Sequence, residues 1–286
     1  MELIEDVTRG DWLLARAGAF ATFGGVAGTG FEAYVRILHP LRADREDRAT
    51  VDEYDEHPVI ESAEWRWADV AERTRRTIAP LVSWRTLSGR DDESDLPFED
   101  GWVVHPPEEG WYEPAHLAGL TGLLADATTT PDDLVGAIWD GWGDLNGTST
   151  LGFGWQGSGE PTEAERAEMQ EDMAWRQAQH RREQAVLRES LAGPRFLWPA
   201  RECFLLAMSL PQLSDPSWTD DARVGTSVHF GHTPQMLWPE GHEWVLATEI
   251  DWDSTIVAGS RSLIDAVLAD DRFEAYEVDA DASPCS

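Results

Sequence analysis

The sequence predicts an α+β protein: a mixed or mostly antiparallel sheet with flanking helices and a long charged helical insertion. Short segments in which apolar and polar residues alternate indicate strands, and other segments carry apolar residues at helical spacing. They do not follow one another as regular βαβ units. The 286 residues suffice for one large domain or two smaller ones. We predict a single domain over 1–286, with the insertion at 161–191 and a frayed acidic tail at 279–286.

The N-terminal part contains one clear strand. Residues 31–39 alternate between apolar and polar side chains, which predicts a strand that Pro40 ends. The glycine-rich run 24–30 is expected to form a turn, because it leads into a strand and lacks the lysine of a phosphate-binding loop. The charged segment 42–58 is expected to be a loop.

Two helices are expected next, separated by a long loop. The first has one apolar face and ends near Pro80. That face consists of Trp67, Val70, Ala71, Thr74 and Ile78. The acidic, proline-bearing stretch 88–110 predicts the loop. The second helix begins at Pro114, because proline suits the first turn of a helix.

The middle of the chain alternates between buried and exposed elements. The apolar run 134–139 predicts a buried strand, and the run 196–210 predicts a central strand. Between them, 161–191 is strongly charged and carries only a thin apolar stripe, so we expect an exposed helix. The stripe consists of Met169, Met173, Leu187 and Leu191.

The C-terminal third is predicted to be strand, helix and strand. Residues 244–252 alternate strictly, as in a strand with one buried face. Ser260 can cap a short helix, because its hydroxyl can accept a bond from a backbone N–H of the first turn. A final strand is expected over 273–278.

The charge of the chain restricts its partners. The sequence has no lysine, and 22 arginines face 54 acidic residues, which gives a net charge of -32. Such a surface repels nucleic-acid phosphates and anionic lipid headgroups, so we expect neither nucleic acid nor membrane as a partner. It attracts cations and basic proteins. Salt adaptation is an alternative reason for the acidity.

The N-terminal residues lack the pattern of a signal peptide, and no run of residues has the apolar length of a membrane span. Cys203 and Cys285 do not form a disulfide framework. We therefore expect a cytoplasmic protein. The 15 tryptophans predict a heavily aromatic core.

Three C-terminal acids are the main candidates for a metal site. On a strand, Glu249, Asp251 and Asp253 would share one face, about 6.6 Å apart along it. Such a row can hold Mg²⁺ or Ca²⁺ and then serve ester or phosphoryl hydrolysis. The alternative is a solvated strand face in a chain rich in acids. No cofactor is predicted beyond these two ions.

Other candidate sites are weaker. Exposed indoles of Trp139, Trp142 and Trp155 can stack on a sugar, whereas buried ones belong to the core. Asp140, Asp144 and Asn146 lack the register of a calcium loop. His229, His232 and His242 lack the spacing of a zinc motif, and Cys203 is expected to be a buried thiol. There is no catalytic residue among our predictions.

Several blocks of the sequence resemble a family of uncharacterised actinobacterial proteins. The blocks cover most of the chain outside the charged helical stretch and are specific as a set. They are 30–40, 129–131, 139–143, 238–240 and 244–251. The resemblance implies a bacterial cytoplasmic protein. It supplies no catalytic assignment, because the family has no established activity.

Our leading hypothesis is a non-catalytic intracellular protein that binds a basic partner through its acidic surface, as immunity proteins and antitoxins do by analogy. The first alternative is a divalent-metal-dependent hydrolase that uses Glu249, Asp251 and Asp253. The second is a carbohydrate-binding protein that stacks sugars on Trp139, Trp142 or Trp155.

Overall fold

The computed structural model describes residues 1–52, 56–90, 94–149, 162–226 and 228–284. Helices and antiparallel sheets are both present, which confirms the predicted α+β class. The strands are β1 (Glu2–Leu3), β2 (Ala33–Leu38), β3 (Leu41–Glu46), β4 (Val59–Trp65), β5 (Leu96–Pro97), β6 (Trp102–Val104), β7 (Leu134–Trp139), β8 (Phe196–Trp198), β9 (Arg201–Met208), β10 (Met236–Pro239), β11 (Val245–Thr248), β12 (Ser254–Gly259) and β13 (Ala275–Val278).

The helices differ greatly in length. They are α1 (Asp11–Leu14), α2 (Phe23–Ala27), α3 (Trp67–Thr74), α4 (Trp84–Ser88), α5 (Pro114–Asp126), α6 (Gly143–Asn146), α7 (Glu163–Ser190), α8 (Leu210–Leu213), α9 (Trp218–Asp221) and α10 (Arg261–Leu268). The long helix α7 confirms the predicted charged helix. Thr162 caps it and forms a capping box with Glu165.

The described strands form two antiparallel sheets. The main sheet has nine strands in the order β1-β9-β7-β10-β11-β12-β2-β13, and β8 also pairs with β9. The small sheet has the order β4-β3-β6-β5. Because β3 follows β2 after only two residues, the chain passes directly from the main sheet into the small one.

Both faces of the main sheet are covered. On one face, α5 and α10 pack over strand residues such as Val35 and Val257, and on the other face α1 and α2 cover residues such as Ile256. A strand that is covered on both faces has a continuous apolar sequence, whereas a strand with one exposed face has alternating apolar and polar residues. The small sheet differs, because α3 and α4 pack on one of its faces and its edge strand β4 is largely exposed.

Several predicted elements have the expected bounds. The strand β7 covers the predicted run 134–139, and α5 begins at Pro114. Ser260 caps α10, because its Oγ accepts a hydrogen bond from the backbone N–H of Leu263. The predicted strands at 31–39 and 273–278 correspond to β2 and β13.

Other predictions were wrong. The expected loop at 42–58 begins with the strand β3, and the expected loop at 88–110 contains β5 and β6. The glycine run forms the short helix α2 rather than a turn. The run 196–210 is two strands near the sheet edge, β8 and β9, separated by Ala200 with a φ of 65°.

The C-terminal tail is attached to the fold as far as it is described, rather than frayed. The backbone N–H of Phe23 donates to the carbonyl of Ala282, and that of Gly24 donates to the carbonyl of Ala280. Both alanines also pack against the core on that side of the main sheet. The tail therefore packs against α2 at Ala280 and Ala282.

A search of the described helices for a membrane-spanning segment found none with the required length and apolar character.

Candidate acidic cleft

The predicted row of acids does not form, because the strand β11 ends at Thr248 and the chain turns before β12. Both faces of β11 are also buried, instead of one. Glu249 and Asp251 each bond to Nη2 of Arg201, the latter at 3.1 Å. Asp253 bonds to a different arginine, Arg36. The three acids thus face two arginines, and their role as metal ligands stays a prediction.

Arg36 joins the main sheet to the segment before α4, which belongs to the cluster packed on the small sheet. Its side chain lies on β2 and is completely buried. Its Nε donates to Ser254 Oγ at 2.8 Å, and its Nη2 donates to Asp253 Oδ1 at 2.7 Å. Its Nη1 donates to the carbonyls of Pro80 and Val82, which precede α4. A buried guanidinium with this set of partners fixes the position of α4 relative to the main sheet.

A second buried polar group, His39, holds the segment 105–113 in place. Its Nδ1 lies 2.6 Å from the carbonyl of Glu108, and its Nε2 lies 3.0 Å from Thr255 Oγ1. Because a carbonyl only accepts, Nδ1 is the donor and the ring is neutral when Nε2 accepts from Thr255. Burial lowers the pKa of His39 from 6.5 to about 4. His39 thus ties the backbone of Glu108 to β12.

Gly110 also fixes this segment. Its backbone N–H donates to the carbonyl of Trp252, and its φ is +70°. A Cβ at this position would lie 2.4 Å from the carbonyl oxygen of Ile250, so a larger residue cannot fit without moving the backbone. The segment therefore runs across the turn between β11 and β12 at close range.

The segment 105–113 separates two grooves. The inner groove, about 660 Å³, lies between this segment, the start of α4 and the turn before β12. The outer groove, about 620 Å³, lies between the same segment and the exposed face of β3 and β4. Pro106 and Glu108 line both grooves, so we call the two together the acidic cleft.

Carboxylates dominate the lining of the acidic cleft. Three line the outer groove and four line the inner one, with Glu108 in both. They are Glu64, Glu108, Glu109, Glu113, Asp251 and Asp253. Two of the arginines in the lining are paired with acids, Arg36 with Asp253 and Arg42 with Asp44. The cleft therefore presents a negative potential to any ligand that enters it.

Buried Asp44 organises one end of the outer groove. Its carboxylate accepts hydrogen bonds from Ser62 and Arg42 and lies 3.0 Å from His105 Nε2. Burial raises the pKa of Asp44, but the bonds from Ser62, Arg42 and His105 outweigh it and leave the pKa below its ordinary value. His105 also contacts Asp95 through Nδ1, so the ring bridges two carboxylates.

His116 bridges two further carboxylates at the other end of the groove. Its Nδ1 lies 3.0 Å from Glu113 and its Nε2 lies 3.3 Å from Glu64. Within the described residues, these three side chains are the one set whose ligand atoms lie within 4.8 Å of one another. No local sequence pattern predicts this set, because Glu64 is on β4 and the other two residues are at the start of α5.

Two of the tryptophans that we considered for sugar stacking, Trp139 and Trp142, are half-buried and pack on protein groups. Trp139 and Trp142 contact each other edge to face at 5.7 Å, and Trp142 stacks on His232 at 5.3 Å. His232 in turn contacts Asp144. Trp155 lies outside the described residues. Sugar binding at these indoles stays a prediction.

The other histidines and the buried cysteine have local surroundings. His229 Nε2 contacts the carbonyl of Thr219, and His242 stacks on Trp12 at 4.1 Å. Cys203 is buried in the main sheet, and burial raises the pKa of its thiol to about 12. A thiol with that pKa stays protonated at neutral pH and is a poor nucleophile.

Comparison with protein-family models, with curated proteins and with solved structures gave no match to this chain. The resemblance to the actinobacterial family therefore stays a prediction.

Proposed function

We propose that this protein is a binding module whose acidic cleft receives a basic segment of a partner protein. One observation carries the proposal: six carboxylates from three separate parts of the chain line two adjoining grooves. A net charge of -32 alone would give a negative surface everywhere. The cleft adds a concave shape, in which charges of one sign reinforce each other and attract an opposite charge.

The construction of the cleft supports a binding role. His39 and Gly110 fix the backbone of the dividing segment, while Glu108 and Glu109 on that segment are exposed. Exposed charges on a fixed backbone lose little conformational freedom when a partner binds. Electrostatic attraction would speed association and make the affinity fall as salt rises.

The alternative of a metal-dependent hydrolase has less support. Glu249, Asp251 and Asp253 each contact an arginine, and a cation would have to compete with that guanidinium. Titration calorimetry with Mg²⁺, Mn²⁺ and Ca²⁺ tests this alternative directly. Micromolar binding that Asp251→Asn and Asp253→Asn abolish would favour it over the proposed function.

The proposed function is tested with two triple variants of equal net charge. In one, Glu64, Glu108 and Glu109 in the cleft are replaced by glutamine. In the control, exposed acids of α7, namely Glu168, Glu171 and Glu189, are replaced by glutamine. A protein captured with the wild-type chain at low salt is purified and titrated against all three forms. We expect the cleft variant to lose about ten-fold in affinity or more, and the control to lose less than about three-fold.

Two results would contradict the proposal. The first is an equal loss of affinity in both variants, which would make net charge, and not the cleft, the cause. The second is a set of captured proteins that bind the cleft variant as tightly as the wild type.

A further inference from the structure

The strand β4 is an open edge of the small sheet. It pairs with β3 on one side, and it is the terminal strand of the sheet on the other. Residues Val59 to Ser62 are all exposed, and Ile60 keeps 61% of its surface accessible. An open edge with unpaired backbone groups is a ready template for an added strand.

The register shows which backbone groups face outward. The carbonyl of Arg42 on β3 accepts a hydrogen bond from the backbone N–H of His105, which follows β6. The backbone N–H and C=O groups of Arg42 and Asp44 therefore point toward β6 and away from β4. The alternate residues of β3, such as Ala43, therefore bond to β4 through its residues Ala63 and Trp65.

In β4, the backbone N–H and C=O groups of the residues between these bonded positions point away from β3. Ser62 and Glu64 thus present their N–H and C=O groups to the open edge. Within the described residues, these backbone groups of Ser62 and Glu64 have no backbone partner at the open edge.

The open edge adjoins the outer groove. Ser62 and Glu64 line that groove together with Glu108 and Glu113 on the opposite wall. A strand added beside β4 would lie about 4.8 Å from it, with every second side chain on the groove side. Those side chains would lie near the carboxylates of the groove, whereas the intervening side chains would lie on the face of Ala63 and Trp65.

We infer that the open edge of β4 binds an extended segment of a partner protein in which basic and apolar residues alternate. This inference rests on the proposed function and names how the partner is held. Backbone hydrogen bonds at Ser62 and Glu64 supply part of the affinity, and carboxylates of the groove select lysine or arginine at alternate positions. Exposed Val59 and Ile60 add apolar contact at one end of the strand.

A second copy of this chain does not fit the same edge. Pairing two β4 strands would place Glu61 and Glu64 of both copies on two adjacent strands, in a chain that already carries a net charge of -32. Like charges on adjacent strands repel each other. The acids on β4 therefore disfavour self-association and leave the edge open to a basic strand.

The test uses two synthetic octapeptides of alternating lysine and valine with equal charge, one of which is N-methylated at the backbone nitrogen of every lysine. In an added antiparallel strand, the residues opposite Ser62 and Glu64 direct their side chains to the groove and their N–H groups to β4, so only the unmethylated peptide can donate there. We expect it to bind about ten-fold more tightly or more, as measured by fluorescence anisotropy at low salt. Its binding should also slow the hydrogen exchange of the Ser62 and Glu64 amides.

Two substitutions at one position separate backbone bonding from charge. Ser62→Pro removes the outward N–H, while Ser62→Ala keeps it, and both lose the hydroxyl bond to Asp44. Proline is tolerated on an edge strand when its nitrogen faces solvent. We expect Ser62→Pro to weaken the binding of the unmethylated peptide by about ten-fold relative to Ser62→Ala. Circular dichroism checks that both variants fold, and hydrogen exchange on the wild-type chain tests the site without any substitution.

The possible outcomes distinguish the two proposals. If both peptides bind equally, with unchanged exchange at Ser62 and Glu64, and the cleft triple variant weakens both, strand addition is wrong and the acidic cleft stands. If neither peptide binds at about 1 mM, both proposals fail. Dimerisation of the chain through β4, seen by sedimentation and abolished by Ser62→Pro, would also overturn the inference.

Discussion

The two sheets differ in how far they bury the same type of side chain. Ile256 on β12 of the main sheet is completely buried, whereas Ile60 on β4 of the small sheet is 61% exposed. The main sheet is covered on both faces and its central strands are buried throughout. The small sheet is covered on one face and ends in an open edge. We therefore propose that the main sheet supplies stability and that the small sheet supplies recognition.

The sequences of the strands explain this division. The strand β12 reads Ser-Thr-Ile-Val-Ala-Gly and carries no charge, whereas β4 reads Val-Ile-Glu-Ser-Ala-Glu-Trp and carries two. Charged side chains are very costly to bury without partners, so β4 cannot become a central strand. The main sheet carries charged residues too, such as Arg201 and Glu202 on β9, but Arg36 on β2 is completely buried, and its guanidinium is bonded.

The largest effect is expected from breaking the connection between the main sheet and the segment before α4. In Arg36→Leu, Asp253 loses its partner and two backbone carbonyls lose their donor. Removing one partner of a buried ion pair destabilises a protein by about 3–5 kcal/mol. Urea unfolding of the variant should show a loss of this size.

The control for this variant is Arg45→Leu in the small sheet. Arg45 is paired with Glu61, and both side chains are about half exposed. Exposed ion pairs contribute less than about 1 kcal/mol. A loss in Arg45→Leu as large as that in Arg36→Leu would contradict the contrast between the sheets.

A matched pair of isoleucines measures the contrast directly. Ile256→Ala removes buried side-chain atoms from the core and should cost about 2–5 kcal/mol. Ile60→Ala makes the same chemical change on an exposed strand and should stay within about 0.5 kcal/mol. Thermal and urea unfolding of both variants provide the comparison. Equal losses would show that the edge of β4 is covered in solution.

A smaller loss of stability is expected when the pH is lowered. The pKa of His39 is about 4 in the folded state and 6.5 in the unfolded state, so the unfolded chain binds more protons between these values. The stability contributed by neutral His39 is therefore complete above pH 6.5 and is lost as pH falls toward 4. From pH 7 to pH 5 this loss amounts to about 2 kcal/mol.

The substitution His39→Gln tests the cause of this pH dependence. Glutamine does not titrate, so the free energy of unfolding should vary less between pH 7 and pH 5 than in the wild type. His57→Gln is the control, because His57 is exposed. If His39→Gln leaves the slope unchanged, His39 is not the titrating group.

Elements with regular spacing could be predicted from the sequence. The strand β7 and the capped helix α10 have strong local signals, namely a bounded apolar run and a serine before an apolar stripe. The strand β3 could not be found in this way, because its charged residues resemble a loop. Asp44 is buried there because hydrogen bonds come from Arg42 on the same strand and from Ser62 and His105 in other segments.

The candidate site was only partly accessible to sequence reasoning. The net charge predicted an acidic binding surface, and Asp251 and Asp253 do line the inner groove. Their assumed spacing on a strand was wrong, since alternation continued in the sequence after the strand had ended. The pairing of Glu64 with His116 depends on the packing of β4 near α5, and nothing in the local sequence indicates it.

The order of strands in the main sheet has a consequence for synthesis. The strand β2 lies between β12 and β13, and its Arg36 is paired with Ile256, roughly 220 residues later, a separation that slows folding. During translation β2 therefore leaves the ribosome long before either neighbour exists. A nascent chain that stalls before residue 254 exposes an unsatisfied apolar strand, which is a target for chaperones and a nucleus for aggregation.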